Sequence, residues 1–581
     1  MAILEAKNLS YRFRPGSPQV IKSISLTINE GEVVGIFGRS GSGKSVFGYI
    51  LSGIIPNFYR NGIIEGELKI AGTNAFQVKD ASNVLVGMVM QNPETQLFGF
   101  RVEDTLAFGM ENLGLSREEM GKRIERVSKQ LQIEHLLNRF TGELSGGQKQ
   151  LCCLASILAM EPKVLVLDEP VSALDPGGVL LIQEAVARLK REGRTIIVIG
   201  NNAGWVAPLL DRVVVMNQGE IVLDNQAEEF FADKNKVIAS GITTTQVNEL
   251  YHTLVEKGYR LPVFVSYAEA KRYLWEKNII RKNTTLRTRS VNYNNAIKEN
   301  PKAPSLISIR ELSFMYGQFK ALEGINVDLQ GGRIIGLIGQ NGSGKSTLLK
   351  HLNGLLKPTR GTIEVNGKRP DQETIAAMAK IIGFVFQNPD QMLFEETVYD
   401  EATFGIRAIY RQVSPEQKET VEKLLAEFGL LEYREELPVN LSAGQKRWLM
   451  IASAVAVNPA VLVLDEPTNG MDRFDKEKLA MLIKEWKNAG RTIIIVSHDL
   501  PFLADLVDTV LLLDKGRVKA CGTIREIFSQ REIFAEINIP LPEITMLGLE
   551  AGAPAILNVD EFIDSCLTNA TEREEMGCAV S

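Results

Sequence analysis

A long internal repeat constrains the fold of this chain more than any other feature of its sequence. The segment Gly38–Ser45 (Gly-Arg-Ser-Gly-Ser-Gly-Lys-Ser) recurs as Gly339–Ser346 (Gly-Gln-Asn-Gly-Ser-Gly-Lys-Ser). Three more segments recur in the same order and at nearly the same spacing: Gln91-Asn-Pro as Gln387-Asn-Pro, Leu144–Gln148 as Leu441–Gln445, and Val-Leu-Val-Leu-Asp-Glu-Pro ending at Pro170 and at Pro467. Solenoid repeats span about 20–50 residues, so this much longer repeat indicates a duplicated domain.

Each copy alternates segments typical of strands with segments typical of helices. Val33–Phe37 and Ile334–Ile338 are apolar, run into the glycine-rich segment and precede helix-like sequence. Runs rich in Val, Ile and Leu predict parallel strands buried on both faces: Val164–Leu167, Thr195–Ile199, Val461–Leu464 and Thr492–Val496. This alternation predicts an α/β domain with a mostly parallel sheet in each half.

Each copy also carries a helical insert with its own start signal. Ser116 can cap a helix that has Glu119 at its third position, and apolar residues follow at helical spacing. In the second copy Ser414 caps, Pro415 takes the first turn and Gln417 completes the capping box. We interpret the apolar stripes of both helices as core packing.

The composition limits the classes of protein that fit. Of 581 residues, 45% are hydrophobic and 23% are charged, with a net charge of −6. These values are ordinary for a soluble globular protein and give no basic signal for nucleic acid. The segment Met1–Glu5 lacks the features of a signal peptide, and no stretch approaches the roughly 20 apolar residues of a membrane helix. A role at a membrane would therefore need a partner. The five cysteines have no metal-binding spacing and are expected to be thiols of a reducing cytosol.

The Gly-x4-Gly-Lys-Ser segments predict two phosphate-binding loops, since each lies between a predicted strand and a predicted helix. Glycines let several backbone N–H groups point at one phosphate, and the following helix adds its positive N-terminal end. Lys44 and Lys345 would supply positive charge to the β- and γ-phosphates, and the hydroxyls of Ser45 and Ser346 would bind Mg2+. The other expected phosphate contacts are Gly38, Arg39, Ser40, Gly41, Ser42 and Gly43, and in the second half Gly339, Gln340, Asn341, Gly342, Ser343 and Gly344.

An Asp-Glu pair ends one predicted buried strand in each half. Asp168 and Asp465 would lie at the carboxyl edge of the sheet, where open α/β sheets bind ligands. A carboxylate there fits a role in binding Mg2+, directly or through water. Glu169 and Glu466 follow, and they could orient or deprotonate an attacking water.

The segment Leu144–Gln148 (Leu-Ser-Gly-Gly-Gln) resembles the signature of the ATP-binding-cassette family. Further matches to the family are Gln91, Gln387, Asp175, Asp472 and His498, and the resemblance covers residues 3–230 and 305–530. It implies an ATPase that uses ATP and Mg2+. It also implies that Gln91 and Gln387 contact the metal and take part in catalysis, and that His498 contacts the γ-phosphate.

The family also implies that the two halves pair head-to-tail, so that each ATP contacts the phosphate loop of one copy and the signature of the other. The signature contacts would be Ser145, Gly146, Gly147 and Gln148, and Ser442, Ala443, Gly444 and Gln445, with Asp175 and Asp472 beside the nucleotides. A signature that opens a helix agrees with this, because a helix N-terminus stabilises the charge of the γ-phosphate. Phe13 and Tyr316 resemble the family's adenine-stacking aromatic, with a plain core aromatic as the alternative.

The narrower resemblance is to the ATPases of energy-coupling-factor importers. Gln91–Phe98 and Val102–Gly109 are similar to that subfamily, as are Gln387–Phe394 and Thr397–Gly405, although Met392 replaces the usual Gln. Tails at Ile242–Leu274 and after Ile539 resemble its extensions. The implied partners are a transmembrane coupling subunit and a small substrate-binding membrane subunit at the cytoplasmic face of the membrane. The predicted domains are 3–235 and 306–532 (ATPase domains), 236–276 (helical extension), 277–305 (linker) and 533–581 (C-terminal extension).

The two copies depart unequally from the family pattern. Asn201 stands where the second copy has His498, and Ala443 stands where the first copy has Gly146. Asparagine cannot carry a proton or a positive charge there, and alanine restricts backbone approach and positive φ. Head-to-tail pairing would place Asn201 and Ala443 at the same nucleotide site, which would also contain Lys44 and Glu169. We therefore expect the site of Lys345, Glu466 and His498 to be faster, with neutral drift as the alternative.

Three functions remain in competition at this point. The first is the motor of a micronutrient importer for vitamins, vitamin precursors or metal ions. The second is a soluble tandem-cassette translation factor, although the polar segment 277–305 shows no clear helical stripe. The third is a conventional importer ATPase for sugars or peptides.

Overall fold

A computed structural model describes residues 1–59, 61–77, 84–172, 174–280, 305–388 and 392–567. These residues form two compact units that divide between Ala270 and Lys271. Most of the predicted linker 277–305 and the end of the predicted extension 533–581 lie outside the described residues. Each unit contains one copy of the repeat and is described by itself.

The first unit combines an antiparallel sheet with a larger, mainly parallel one. The antiparallel sheet has the order β2-β1-β4-β5, and the larger sheet has the order β10-β9-β3-β8-β7-β6. In the larger sheet β6, β7, β8, β3 and β9 are parallel, and β10 pairs antiparallel with β9. The strands are β1 Ala2–Arg12, β2 Ile21–Asn29, β3 Val33–Phe37, β4 Ile63–Ile70, β5 Thr73–Asn74, β6 Val86–Val89, β7 Val164–Asp168, β8 Thr195–Gly200, β9 Arg212–Asn217 and β10 Glu220–Gln226.

The helices of the first unit surround this larger sheet. Glycine precedes α1, Ser116 caps α4, and Ser145 caps α5. The helices are α1 Lys44–Leu51, α2 Ile54–Asn57, α3 Val102–Asn112, α4 Arg117–Leu131, α5 Gly146–Ala159, α6 Pro176–Arg191, α7 Ala227–Ala232, α8 Lys234–Ser240, α9 Gln246–Glu256 and α10 Tyr267–Glu276, in which the division between the units falls.

The second unit repeats this plan. Its antiparallel sheet has the order β12-β11-β14, and its larger sheet has the order β15-β16-β17-β13-β18-β19. The strands are β11 Ser305–Tyr316, β12 Phe319–Gln330, β13 Ile334–Ile338, β14 Arg360–Val365, β15 Ile382–Val385, β16 Val461–Asp465, β17 Thr492–Val496, β18 Thr509–Asp514 and β19 Arg517–Thr523. The helices are α11 Lys345–Leu352, α12 Ile375–Ala379, α13 Val398–Tyr410, α14 Pro415–Glu427, α15 Ala443–Ala456, α16 Arg473–Asn488, α17 Leu500–Ala504, α18 Ile524–Phe528, α19 Arg531–Glu536, α20 Glu543–Glu550 and α21 Val559–Cys566.

The central strands are buried on both faces, as the apolar runs predict. In β7, Leu165 and Leu167 pack in one core with the helices of the insert, while Val164 and Val166 pack in another core with Phe47 of α1. The α/β fold class with a mostly parallel sheet in each half is therefore confirmed. Within the described ranges no helix is both long and apolar enough to cross a bilayer.

Candidate nucleotide sites

The loop between β3 and α1 forms a cradle that only glycine can line at two positions. Gly38 has φ +148°, and a Cβ there would lie 2.1 Å from the Met216 carbonyl oxygen. Gly43 has φ +95°, and a Cβ there would lie 2.9 Å from the Val20 carbonyl oxygen. The second loop has the same constraint at Gly344, with φ +102°. These loops fold as the glycine pattern predicts, and each ends at a helix N-terminus.

The two loop lysines are buried and fold back over their own loops. The Lys44 ammonium donates to the carbonyl oxygens of Gly38 at 2.8 Å and Arg39 at 2.7 Å. The Lys345 ammonium donates in the same way to Gly339 at 2.6 Å and Gln340 at 2.8 Å. Each charge is therefore held over the cradle, where it can meet the charge of a phosphate.

Each predicted metal aspartate ends a buried strand beside its loop. The Ser45 hydroxyl donates to Asp168 Oδ1 at 3.2 Å, which brings together two of the three predicted Mg2+ contacts of the first site. Burial raises the pKa of Asp168 to about 6 and that of Asp465 to about 6, while Lys44 and Lys345 respectively oppose the shift. A divalent cation would offset this burial by stabilising the ionised carboxylates.

The glutamates Glu169 and Glu466 follow these strands with left-handed backbones, φ +45° and +49°. The backbone N–H of Glu169 donates to the Ile199 carbonyl at 2.9 Å, and that of Glu466 donates to the Val496 carbonyl at 2.8 Å. A non-glycine residue at positive φ is uncommon and costs free energy. In both halves the strained residue is held to the neighbouring strand through its backbone N–H.

Burial raises the pKa of both glutamates, to about 7 for Glu169 and about 8 for Glu466. Among the described residues, Glu466 Oε1 has no hydrogen-bond donor. A buried carboxylate oxygen without a donor is costly, and it is an acceptor suited to a water molecule. The position and chemistry of both residues fit the predicted general base.

The partners of the two glutamates differ. The Gln91 side-chain amide donates to Glu169 Oε2 at 2.9 Å. In the second half the His498 backbone N–H donates to Glu466 Oε2 at 3.3 Å, and the imidazole Nε2 lies 3.3 Å from Asn341 Oδ1 of the phosphate loop. Gln387 is exposed, and its carbonyl accepts from Arg447 Nη1 at 2.9 Å.

Asn201 occupies the position that corresponds to His498. Asn201 is the first residue after β8, and His498 is the second residue after β17. In each unit a carbonyl of this strand accepts a hydrogen bond from the backbone N–H of the glutamate. The Asn201 carbonyl accepts from the Thr243 N–H at 2.9 Å. An amide therefore stands at the first site where an imidazole stands at the second.

Both signature segments form helix caps. The Ser145 hydroxyl accepts from the Gln148 N–H at 3.3 Å, and Ser442 accepts from Gln445 at 3.3 Å, in reciprocal capping boxes. Gly146 and Ala443 are the first residues of their helices, and neither has positive φ. The expectation that alanine meets a penalty from positive φ at this position is therefore wrong, because a helical φ suits any L residue, while the effect of alanine on close backbone approach stays a prediction. Only the added methyl group distinguishes the two signatures there.

The aspartates Asp175 and Asp472 also cap helices. Asp175 Oδ1 accepts from the Gly178 N–H at 2.8 Å, and Asp472 Oδ1 accepts from the Asp475 N–H at 3.0 Å. The structure thus gives each a local role at the start of α6 and α16, and nucleotide contact by either remains a prediction.

The two aromatics predicted to stack on adenine are at the surface. Phe13 is 40% exposed and Tyr316 is 46% exposed, each at or just beyond the end of its strand. Among the described residues, Phe13 meets the rings of Tyr11 and Tyr59 edge-on, and Tyr316 meets the ring of Phe314 edge-on. The alternative of a plain core aromatic therefore does not hold for either residue.

A family model described as ABC transporter matches residues 21–172 and 322–469, which is more than half of the chain. The chain belongs to the ABC transporter family. A protein of Methanosarcina mazei named as an ABC transporter ATP-binding protein is 35% identical over 582 residues, covering 97% of this chain and 96% of the relative. Two copies of the family's ATP-binding domain in one chain are thereby established.

Solved structures of ABC proteins match one unit or both. The structure of cbiO1 from Clostridium perfringens, described as part of the ABC transporter complex cbiONQ, is 34% identical, with a TM-score of 0.36, over 41% of this chain and 97% of that chain. An archaeal ribosome recycling factor, solved with an archaeal ribosomal stalk protein, is 20% identical, with a TM-score of 0.53, over 91% and 92% of the two chains. At that identity the second match shows the fold alone.

The ABC family uses ATP with Mg2+, and the residues present fit both. The glycine cradles leave room for phosphate oxygens, and Lys44 and Lys345 supply the positive charge. Hydroxyl and carboxylate oxygens are the ligands that Mg2+ prefers, and Ser45 with Asp168 offers both within hydrogen-bond distance of each other. When bound, Mg2+ would neutralise charge on the phosphates.

Sequence reasoning missed two features of these ABC domains. The first is Arg447, a buried arginine whose equivalent in the first copy is Gln150. The second is a pair of exposed aromatics beside each glutamine loop, Phe98 with Phe108 and Phe394 with Phe404. A residue-by-residue comparison of the two copies would have found the first, and it would also have shown that both halves contain the second.

Proposed function

We propose that this chain is the ATP-hydrolysing subunit of an energy-coupling-factor-type importer. In this role it couples ATP hydrolysis, at the cytoplasmic face of the membrane, to uptake of a vitamin, a vitamin precursor or a metal ion. A transmembrane coupling subunit and a small substrate-binding membrane subunit would be its partners. The observation that carries this proposal is the exposed aromatic pair beside each glutamine loop.

The aromatic pairs lie within the segments that resemble the importer subfamily. Phe98 is 66% exposed and its ring stacks on that of Phe108, with centroids 5.1 Å apart. Phe394 is 63% exposed and meets the Phe404 ring edge-on at 4.7 Å. Exposed apolar surface of this kind marks a docking site for a protein or membrane partner.

In the second unit the pair borders an apolar groove of about 440 Å³. Phe384, Phe386, Met392 and Phe404 are among the residues that line this groove. Gln387 directly follows Phe386, so a helix seated in the groove would contact the loop that carries a predicted catalytic residue. Through this contact, binding of a membrane subunit would change the position of Gln387 at the site of ATP hydrolysis.

We further propose that the two halves pair head-to-tail and that their two sites turn over unequally. The faster site would combine Lys345, Glu466 and His498 with the signature at Ser145–Gln148. The contact of His498 with Glu466 supports this ranking, because the first site has Asn201 instead. The slower site would hold ATP and hydrolyse it seldom.

The first test is to isolate the tagged protein from its native membranes in mild detergent and identify what copurifies. A transmembrane protein together with a small, very apolar membrane protein supports the importer, and the small one indicates the substrate class. Recovery of ribosomes instead supports the translation-factor alternative, with salt-sensitive binding as its mark. Recovery of an extracytoplasmic sugar- or peptide-binding protein supports a conventional importer.

Matched substitutions test whether the aromatic pairs are the docking surface. Phe98→Ser and Phe394→Ser should abolish copurification of the membrane subunits while leaving basal ATP hydrolysis unchanged. The controls are Val222→Ser and Met481→Ser, which remove other apolar side chains that are at least half exposed, one in each unit. Retention of the membrane subunits by both phenylalanine variants would rule out this docking surface.

A further inference from the structure

The two glutamine loops are held in place by different side chains. In the first unit Gln96 is the brace: its Oε1 accepts from the Met90 N–H at 2.8 Å, and its amide donates to the Met88 carbonyl at 2.9 Å. Gln150 of α5 adds one donor to the Met90 carbonyl at 3.4 Å. Both sides of the segment that leads to Gln91 are thereby fixed.

The second unit lacks the equivalent of the first brace. Met392 stands where Gln96 stands, and a thioether cannot donate to a carbonyl. Instead, Arg447 of α15, at the position of Gln150, donates through Nη1 to the carbonyls of Phe386 at 3.4 Å and Gln387 at 2.9 Å. The change from Gln96 to Met392 removes hydrogen bonds to the glutamine loop, and the change from Gln150 to Arg447 adds hydrogen bonds to the same loop.

Arg447 also reaches the segment that carries the catalytic glutamate. Its Nη2 donates to the Asn469 carbonyl at 3.4 Å, and the Asn469 N–H donates to the Glu466 carbonyl at 3.3 Å. Arg447 is only 6% exposed, and within the described part of the chain its Nε has no acceptor. Burial lowers the pKa of this guanidinium to about 10, opposed by the charges of Glu466 and Asp465.

A buried arginine with an unmatched N–H lowers the stability of the folded chain. The first cassette shows that a neutral glutamine can occupy the same helix position. We propose that Arg447 is the positioning residue of the second site, where it replaces the Gln96 brace by fixing the Gln387 loop against the Glu466–Asn469 turn. The proposal rests on the ATPase activity proposed above. It adds a residue that aligns the glutamine loop with the predicted general base, and it does so at the second site only.

The test measures ATP hydrolysis by the full chain in a Glu169→Gln background, so that turnover reports the second site. Arg447→Gln should lower kcat about 10-fold or more and change the KM for ATP less than 2-fold, because the phosphate loop and Tyr316 are untouched. A misplacement of about 1 Å is enough for an effect of this size. Arg447→Lys keeps the charge but offers a single donor group, and should restore kcat in part.

A second experiment introduces the loop-holding residues of the first cassette into the second cassette. The double variant Met392→Gln/Arg447→Gln carries the Gln96 and Gln150 pair, and it should recover most of the kcat that Arg447→Gln loses. The matched control is Arg491→Gln, which removes another partly buried arginine with an unpaired N–H, beyond the opposite end of β17 from His498. It should leave kcat within 2-fold of the background.

Three results would overturn the positioning role: an Arg447→Gln kcat within 2-fold of the background, an equal loss in Arg491→Gln, or no recovery in the double variant. In each case the proposed importer function would stand. Absence of hydrolysis in the unsubstituted chain with its membrane subunits would instead overturn the ATPase proposal itself.

Discussion

The imidazole Nε2 of His498 lies 3.4 Å from Oε1 of Glu466, the buried carboxylate that directly follows β16. The same carboxylate also accepts the His498 backbone N–H. Imidazole and carboxylate therefore lie within contact distance of each other. In the first unit Glu169 meets the amide of Gln91 instead.

The two glutamates should contribute unequally to turnover. We expect Glu466→Gln to reduce ATP hydrolysis by the complete transporter about 10²-fold or more, in line with loss of a positioned general base. Glu169→Gln should retain most of the activity, because the slower site contributes little. Steady-state phosphate release measures both variants, and equal residual rates in the two would contradict the asymmetry.

Exchange of the residues after β8 and β17 should move the activities of the sites towards each other. His498→Asn should lower turnover on the order of 10-fold, because an amide cannot carry a positive charge beside the γ-phosphate. Asn201→His in a Glu466→Gln background should raise the residual rate of the first site. If Asn201→His leaves that rate unchanged, Asn201 does not limit the first site.

Adjacent glycines of the first signature should differ in their tolerance of alanine. A Cβ at Gly147 would lie 2.6 Å from Gly178 Cα, so Gly147→Ala should reduce the free energy of unfolding by about 1–3 kcal/mol. A Cβ at Gly146 meets only the flexible Leu174 side chain at 3.2 Å, and Ala443 occupies the same helix position. Gly146→Ala should therefore leave the midpoint of thermal unfolding nearly unchanged. A large loss in both variants would refute this distinction.

The raised pKa of Glu466 makes the stability of the nucleotide-free protein depend on pH. Burial raises the pKa of Glu466 in the folded state to about 8, above the ordinary value of 4.5, so the folded state binds more protons between these two pH values. The free energy of unfolding therefore falls as pH rises from about 5 to 8. Glu466→Gln removes this dependence, so the variant should gain on the order of 4 kcal/mol over the parent at pH 8 and less than about 1 kcal/mol at pH 5. Thermal unfolding at the two pH values measures the difference, and a gain of equal size at both would exclude Glu466 as its source.

Much of the fold could be predicted because local signals and the repeat agree. Val33–Phe37 and Ile334–Ile338 are strands with the bounds that the apolar runs indicated, and Ser116 and Ser414 cap their helices as predicted. The phosphate loops could be predicted for the same reason, since their glycines and lysines act through the local backbone.

The positive φ of Glu169 and Glu466 could not be predicted, because it depends on hydrogen bonds to a neighbouring strand that is distant in sequence. The brace of Arg447 likewise depends on three segments that meet only in the folded chain. The positive φ expected at the first signature glycine was wrong because the helix begins at that residue, which gives it an ordinary helical φ. Each of these failures arises where tertiary contacts decide the local geometry.

The alternation of side chains along β7 and β16 has a consequence for how the two halves can diverge. Four successive residues of each strand enter two opposite apolar layers in alternation, and the fifth residue is the aspartate predicted to bind the metal. Deleting a single residue would turn that aspartate into the wrong layer and bury a charge in hydrocarbon. An insertion or deletion within these strands would therefore bury the aspartate, whereas a substitution outside the strands leaves the alternation of their side chains intact. Both halves contain Val-Leu-Val-Leu-Asp-Glu-Pro, whereas their differences at Asn201, Met392, Ala443 and Arg447 lie outside these two strands.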